Sequence, residues 1–525
     1  MRLTARRMLF WIVFALYAGG SIWWTLSIPR TPEQLLRAIP GHASLVSWHD
    51  QLATRWTNVY AHPVVLSAVA AMQADTNQWE ALQSDPGFKA TLDLIGRNEL
   101  VLANVPYMGI YNENAWVFAG WIGGRSQRLR WSERFLHIPG LRRLEDIGGW
   151  PVWSWHGSTE SGSFRVTLAL VEGMIIGTTA RDPMAIEMVI DSYNGLFPSV
   201  AFRTDLRDWN ALLMDSVYPD RFWFKSDALP MIDRSFTEFD IKDAARMQAT
   251  VRFFPPADVP QLPNSLEMEE LASLWGDEAL AASSFSTEVV VSALRQNEPS
   301  VATSVIKDII ATSRADAVAL GVFGGEISGR FKGIKVPTIM AALQRTEGGD
   351  TAEWVGQLVD RWNARFQWGL VSVPVAVGTT TIWRIEGTAG GLYASMGPNE
   401  QVAVMPAGDW LVISSNLKGL EVLATRAQTG GGATPLWADQ LDDAVSDGAA
   451  GYLGVDLVRG YETLRLAITA YSLKLLFEDA SGSRALRQQL NETKAWLETL
   501  ARLEHLHLYV SAADPYVKVE LQTGR

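Results

Sequence analysis

His505 and His507 stand two apart in an apolar, strand-like stretch, a spacing that turns both side chains to one face and could offer two ligands to a metal ion. Such a site needs further ligands from elsewhere in the fold, and a partly exposed strand end accounts for the pair more simply. His156 precedes the Gly/Ser-rich loop Gly157–Ser163, where a general base could sit; a polar loop residue explains it as well. The acids Asp240, Asp243, Asp442 and Asp443 lie in polar segments, and a hydrolytic carboxylate pair could assemble from such residues only in the fold. The chain has 7 His and no Cys, which excludes thiolate metal sites, a cysteine nucleophile and disulfides. Gly-x-Ser-x-Gly, His-Glu-x-x-His, the phosphate-cradling Gly-x-x-x-x-Gly-Lys and a dinucleotide glycine motif are absent. Gly329-Arg330-Phe331-Lys332-Gly333 has glycines and basic groups at the wrong spacing. The residues therefore point away from an enzyme, with no metal and no cofactor expected.

The 22 Trp are a heavy load for 525 residues. Platforms for sugars or lipids are one use of such rings, and filling large cores is the other. Trp153, Trp155, Trp383 and Trp410 fall in apolar strand-like stretches and Trp354 and Trp362 on one helix stripe, which favours core. If the protein instead shelters an apolar ligand, Trp153, Met174 and Ile186, with Trp383, Trp410 and Val422 in the second half, are the expected lining. A net charge of −12 without a basic block speaks against nucleic acid, or an anionic bilayer surface, as a partner of the exported part.

One stretch sets the expected location. Met8–Ile28 carries no charge, follows Arg2, Arg6 and Arg7, and has Trp11 near one end and Trp23 and Trp24 near the other. It reads as a transmembrane helix with a cytoplasmic amino terminus, a single-pass anchor in the inner membrane that leaves the rest of the chain in the periplasm. A cleaved signal peptide, cut before Ser21 with Ala18 and Gly20 as the small residues of the processing site, is the alternative, but the apolar run is long for one.

Past the anchor, Thr31-Pro32-Glu33-Gln34 has the pattern of a helix start. Phe164–Val171, the turn Glu172-Gly173 and Met174–Thr178 predict a hairpin, and Asp182-Pro183 opens a helix stopped at Asn194-Gly195. The order recurs in Val402–Val404, Trp410–Ser414 and the helix Leu417–Ala427. Val152–Trp155 resembles Ile382–Ile385, Ala119–Gly124 resembles Leu320–Gly325, and Phe222–Leu229 resembles Tyr452–Val458. Matches in the same order predict a tandem duplication. The expected layout is an anchor segment 1–30, a first unit 31–255, a proline-rich and acidic linker 256–270, and a second unit 271–525. The expected fold class is α+β, each unit an antiparallel-rich sheet with helices packed on one face.

With Ile39-Pro40-Gly41-His42-Ala43 opening the first unit and the hairpin Val166–Thr178 recurring, the layout resembles an uncharacterised, domain-of-unknown-function family of bacterial membrane-anchored, internally duplicated exported proteins. The resemblance implies no site residues. The function expected is that of a non-catalytic envelope scaffold or accessory subunit with a protein partner. A membrane-held carrier of a lipid or other apolar molecule is the alternative, and an envelope hydrolase stands behind both.

Overall fold

The computed structural model describes residues 2–26, 28, 30–66, 86–107, 113–126, 129, 141–159, 162–225, 234–243, 245–254, 275, 279–287, 290–291, 301–327, 335–345, 350–387, 401–429, 451–477, 483–513 and 516–524. The expected linker 256–270 and Asp442 and Asp443 lie outside them. Helices α1 (Arg2–Leu26) and α2 (Glu33–Arg37) precede β1 (Leu45–Asp50). Then come α3 (Leu52–Ala61), α4 (Pro86–Ile95), β2 (Glu99–Tyr107), β3 (Glu113–Trp121), β4 (Leu141–Arg143), β5 (Val152–Thr159), β6 (Gly162–Val171) and β7 (Met174–Thr178). Helices α5 (Ala185–Asn194) and α6 (Arg207–Asp215) lead to β8 (Asp220–Lys225), β9 (Arg234–Ile241), β10 (Met247–Phe254) and β11 (Ala279–Ser286). Helix α7 (Val301–Ser313), β12 (Ala315–Ile327), β13 (Lys335–Arg345), α8 (Thr351–Phe366), β14 (Leu370–Val377), β15 (Thr380–Gly387), β16 (Ala403–Ala407) and β17 (Trp410–Ser414) follow. The chain closes with α9 (Leu417–Thr429), β18 (Gly451–Asp456), α10 (Leu457–Phe477), α11 (Ser483–Leu500), β19 (His505–Ala513) and β20 (Tyr516–Thr523).

This fold corrects the expected one in three respects. All 20 described strands belong to one antiparallel sheet, in place of a separate sheet for each of two tandem units. The alternation of a strand fixes which face is buried but not which strand lies beside it, so sheet membership was open in the sequence. Secondly, no described helix is long and apolar enough to cross a membrane. Helix α1 takes in Arg2, Arg6 and Arg7, and its charge-free remainder is diluted by Tyr17, Gly19, Gly20, Ser21 and Thr25. Thirdly, helices do not pack on one face only. In the second half, α9 supplies Leu417, Leu420 and Leu423 to a core containing Trp410, Val412 and Met405, while α8 supplies Trp354, Val355, Leu358 and Trp362 to a core containing Leu411, Ile413 and Val404. Neighbouring residues of one strand thus face different cores. The fully buried runs of β7 and β17, with no polar alternation, are what a strand covered on both sides requires.

Two compact units divide the chain, residues 1–60 with 69–240, and residues 61–68 with 241–525. Within the first, the strands pair in the order β4-β5-β6-β7-β3-β2-β1-β8-β9. Within the second the order is β14-β15-β16-β17-β13-β12-β11-β18-β19-β20-β10. From β4 to β9 and from β14 to β19 the pairing is the same, strand for strand. It puts β13 in the place of β3 and β12 in the place of β2. The resemblance of Ala119–Gly124 to Leu320–Gly325 therefore joins strands that are not counterparts, since a glycine-ended apolar strand recurs for local reasons. Strand β10, expected to finish the first unit, pairs with β20 in the second.

Candidate functional site

The densest set of buried ionisable groups among the described residues surrounds β1. This strand lies between β2 and β8, with His49 opposite Asp220 and Asp50 opposite Glu99. Alternation sends Ser47 and His49 to one face and Trp48 and Asp50 to the other. On the first face His49 Nδ1 lies 2.8 Å from Asp220 Oδ1 and His49 Nε2 lies 3.1 Å from Ser47 Oγ. Gln51, at a φ of 50°, turns the chain sharply into α3. Arg55 of that helix then reaches back. Its guanidinium donates to both Asp220 oxygens at 2.5 and 2.9 Å and to the Asp50 carbonyl at 2.8 Å.

On the other face Arg221 donates to Asp50 Oδ2 at 2.7 Å, and the Trp48 indole donates to Asp50 Oδ1 at 3.0 Å. The Arg221 guanidinium also meets the Ser216 and Tyr218 carbonyls and stacks over the Trp48 ring. Ser216 donates to Glu238, the register partner of Arg221. Burial acts most strongly on Asp220 and would raise its pKa, but hydrogen bonds from Arg55 and His49 outweigh it and hold the carboxyl below the usual range. Burial pulls the Arg221 pKa down, against the opposing pull of Asp50.

Ser47, His49 and Asp220 follow one another as a hydrolytic triad does. Two features oppose that chemistry. Strand β1 is paired on both sides, so the amides near Ser47 serve the ladder and leave no pair of donors for an oxyanion. Asp220 is also neutralised by a two-pronged arginine, which weakens its support for an imidazolium at His49. The arrangement is a charge-balanced clamp that ties α3 and β8 to β1. If Phe222 is matched with Tyr452, as in the sequence, Ser47 and His49 correspond to Ser284 and Ser286, so the clamp belongs to the first unit alone.

The residues singled out by sequence are dispersed. His507 is buried and its Nδ1 lies 2.9 Å from the Tyr452 hydroxyl, with the His505 ring 6.3 Å away. Among the described residues no three His, Asp or Glu are grouped to hold a metal. His156 Nε2 accepts from Arg165 at 2.6 Å. Asp243 caps the Ala245 and Arg246 amides, hydrogen bonds that bring its carboxyl down to about 2. Trp153 packs with Ile122, Leu170 and Ile175, and Met174, next to Ile175 on β7, turns to the opposite face. Ile186 is buried in α5. Trp410 joins the α9 core and Trp383 the α8 core, whereas Val422 is 46% exposed. Ser47, His49 and Asp220 were missed. Their only sequence signal is Ser47-Trp48-His49 in a strand, with Asp220 lying 171 residues beyond His49.

Compared with protein-family models, with curated proteins and with solved structures, the chain matches none.

Proposed function

We propose that this chain is a non-catalytic interaction protein of the cell envelope, attached to a membrane through α1 and meeting protein partners there. The supporting observation is the exposure of that helix. Met8, Phe10, Trp11, Ile12, Val13, Phe14, Leu16 and Tyr17 are between 48% and 75% exposed, and five of them are consecutive, so the uncovered surface runs round the helix. Apolar surface of this extent marks a lipid or protein contact. Burying these side chains in lipid is worth on the order of 10 kcal/mol, at about 1.5–3 kcal/mol for each. The packed cores on both sides of β17, with Trp383 and Trp410 in different ones, favour an interaction role over a carrier with one shared cavity.

The test is flotation of the full chain with lipid vesicles. Wild type should float, and Phe10→Asp with Phe14→Asp should stay at the bottom of the gradient. Flotation of both, or of neither, would refute attachment through α1. For the non-catalytic part, a fluorophosphonate probe should leave Ser47 unlabelled, and labelling that His49→Gln abolishes would overturn it.

A further inference from the structure

The end strand of the second unit, β14, pairs with β15 alone among the described residues. Such a strand turns a line of unpaired N–H and C=O groups outward, where another chain can continue the sheet. In the first unit the end strand is β4, which is three residues long and carries Arg142 and Arg143, and shortness and charge both deter pairing. Strand β14 has neither defence. Its eight residues, Leu370–Val377, carry no charge and alternate through four valines, and Val371, Ser372, Pro374 and Ala376 are exposed.

The turn decides which groups point outward. Gly378, at a φ of 57°, and Thr379 join β14 to β15 with Val377 opposite Thr380, a two-residue hairpin. The residues flanking such a turn exchange both backbone bonds, and bonded pairs then alternate along the strand. Val371, Val373 and Val375 therefore bond to β15, while Leu370, Ser372, Pro374 and Ala376 turn their backbone groups to the free side. Leu370 bears this out. Its N–H donates to Asn363 Oδ1 at 2.6 Å and its C=O accepts from Asn363 Nδ2 at 2.8 Å. Gln367 and Gly369, at φ of 53° and 61°, turn the chain from α8 into β14 and set Leu370 beside Asn363. One side chain of α8 thus stands where the next strand would lie. Pro374, in the middle of the outward line, has no N–H to offer.

We infer that Asn363 and Pro374 keep this edge closed to a second copy of the chain. Two copies could pair β14 antiparallel about a two-fold axis, with the same edge on each. With Leu370 occupied by Asn363, the longest open register sets Ser372 against Ala376 and Pro374 against Pro374. The central bonds of that ladder, which would run from residue 374 of each copy to the other's carbonyl, lack their donor. Asn363 removes the end of the ladder and Pro374 its middle. The device is independent of membrane attachment through α1.

Because the chain has no Cys, Ser372→Cys gives a single site for a nitroxide. In a β14 pair of that register the two labelled residues lie four positions apart along the strand and one strand across, about 14 Å, within reach of dipolar broadening. The labelled full chain in detergent should show no such broadening. Pro374→Thr, which restores the N–H, should show broadening that grows with protein concentration and disappears on dilution with the unlabelled variant. Val373→Thr, whose N–H bonds to β15, should behave as the labelled parent. Adding Asn363→Ala to Pro374→Thr should bring the broadening on at lower concentration, and no change would remove Asn363 from the device. Broadening in the parent would mean that the edge is already an interface and would overturn the inference. So would its absence in Pro374→Thr at an unchanged urea midpoint, or its appearance in Val373→Thr as well. If Pro374→Thr does not fold, Pro374→Ala restores the same donor and carries the test.

Discussion

Asp220 is the side chain on which the β1 clamp depends. It is buried with Arg55 across both its oxygens and His49 on one of them. Removing Arg55 alone leaves a carboxylate out of water without its counter-ion, so Arg55→Met should cost about 3–5 kcal/mol in urea unfolding at pH 7, and Asp220→Asn in that background should recover part of the loss. Since the folded-state pKa of Asp220 is lowered, its stabilisation is complete above the unfolded value near 3.8 and is lost as pH falls through the folded one. Two histidines act at higher pH. Burial lowers the pKa of His62 and of His507 from 6.5 to about 4. Between those values the unfolded chain takes up protons that the folded imidazoles refuse, so stability is full above pH 6.5 and falls as pH drops toward about 4. Both ring nitrogens of His62 lack a partner among the described residues, so His62→Phe sacrifices no described hydrogen bond. The loss of stability between pH 8 and pH 5, measured by urea unfolding, should shrink by about 2 kcal/mol in that variant.

Elements closed by local contacts were legible in the sequence, and those assembled from distant strands were not. The β6–β7 hairpin turns at Glu172-Gly173, and α5 ends at Gly195, as read from their turn and cap residues. Helix α8 presents Trp354, Leu358 and Trp362 to its core as its periodicity implied, and Asp350 caps it through the Ala352 amide. The hidden part was how tightly the buried strands are covered. Gly177 on β7 lies beneath the Phe118 ring of β3, where a Cβ would fall 2.3 Å from the ring and 2.8 Å from the Thr167 carbonyl. Gly177→Ala should therefore destabilise the first unit by about 1–3 kcal/mol through overpacking, seen as a lower urea midpoint with an unchanged slope. Nothing in Met174–Thr178 alone announces that contact, because Phe118 comes from a strand with its own local pattern. The β1 clamp was hidden for the same reason, since Ser47 and His49 gain their meaning only when β8 brings Asp220 alongside.

At the scale of the chain, the second unit is closed by its two most distant strands. Strand β10 pairs with β20 through six register positions, from Gln248 with Gln522 to Phe253 with Val517. The Thr523 hydroxyl donates to the Ala245 carbonyl and accepts from the Met247 amide, two bonds spanning 278 and 276 residues. Contacts of such separation pay a large loop-closure entropy before they return any stability, so they form late and depend on the whole strand. Strand β20 also covers one edge of β19, and its loss would bare edges on both β10 and β19. Bare edges of this kind template association with other chains. Deleting Tyr516–Arg525 should therefore turn a monodisperse second unit into an aggregating one and remove its cooperative unfolding, as followed by size-exclusion chromatography and limited proteolysis. Gln522→Ala with Glu520→Ala, which keeps the ladder and trims only side chains, should leave both intact. A soluble, cooperatively unfolding deletion variant would mean that β10 and β19 are protected by something other than β20.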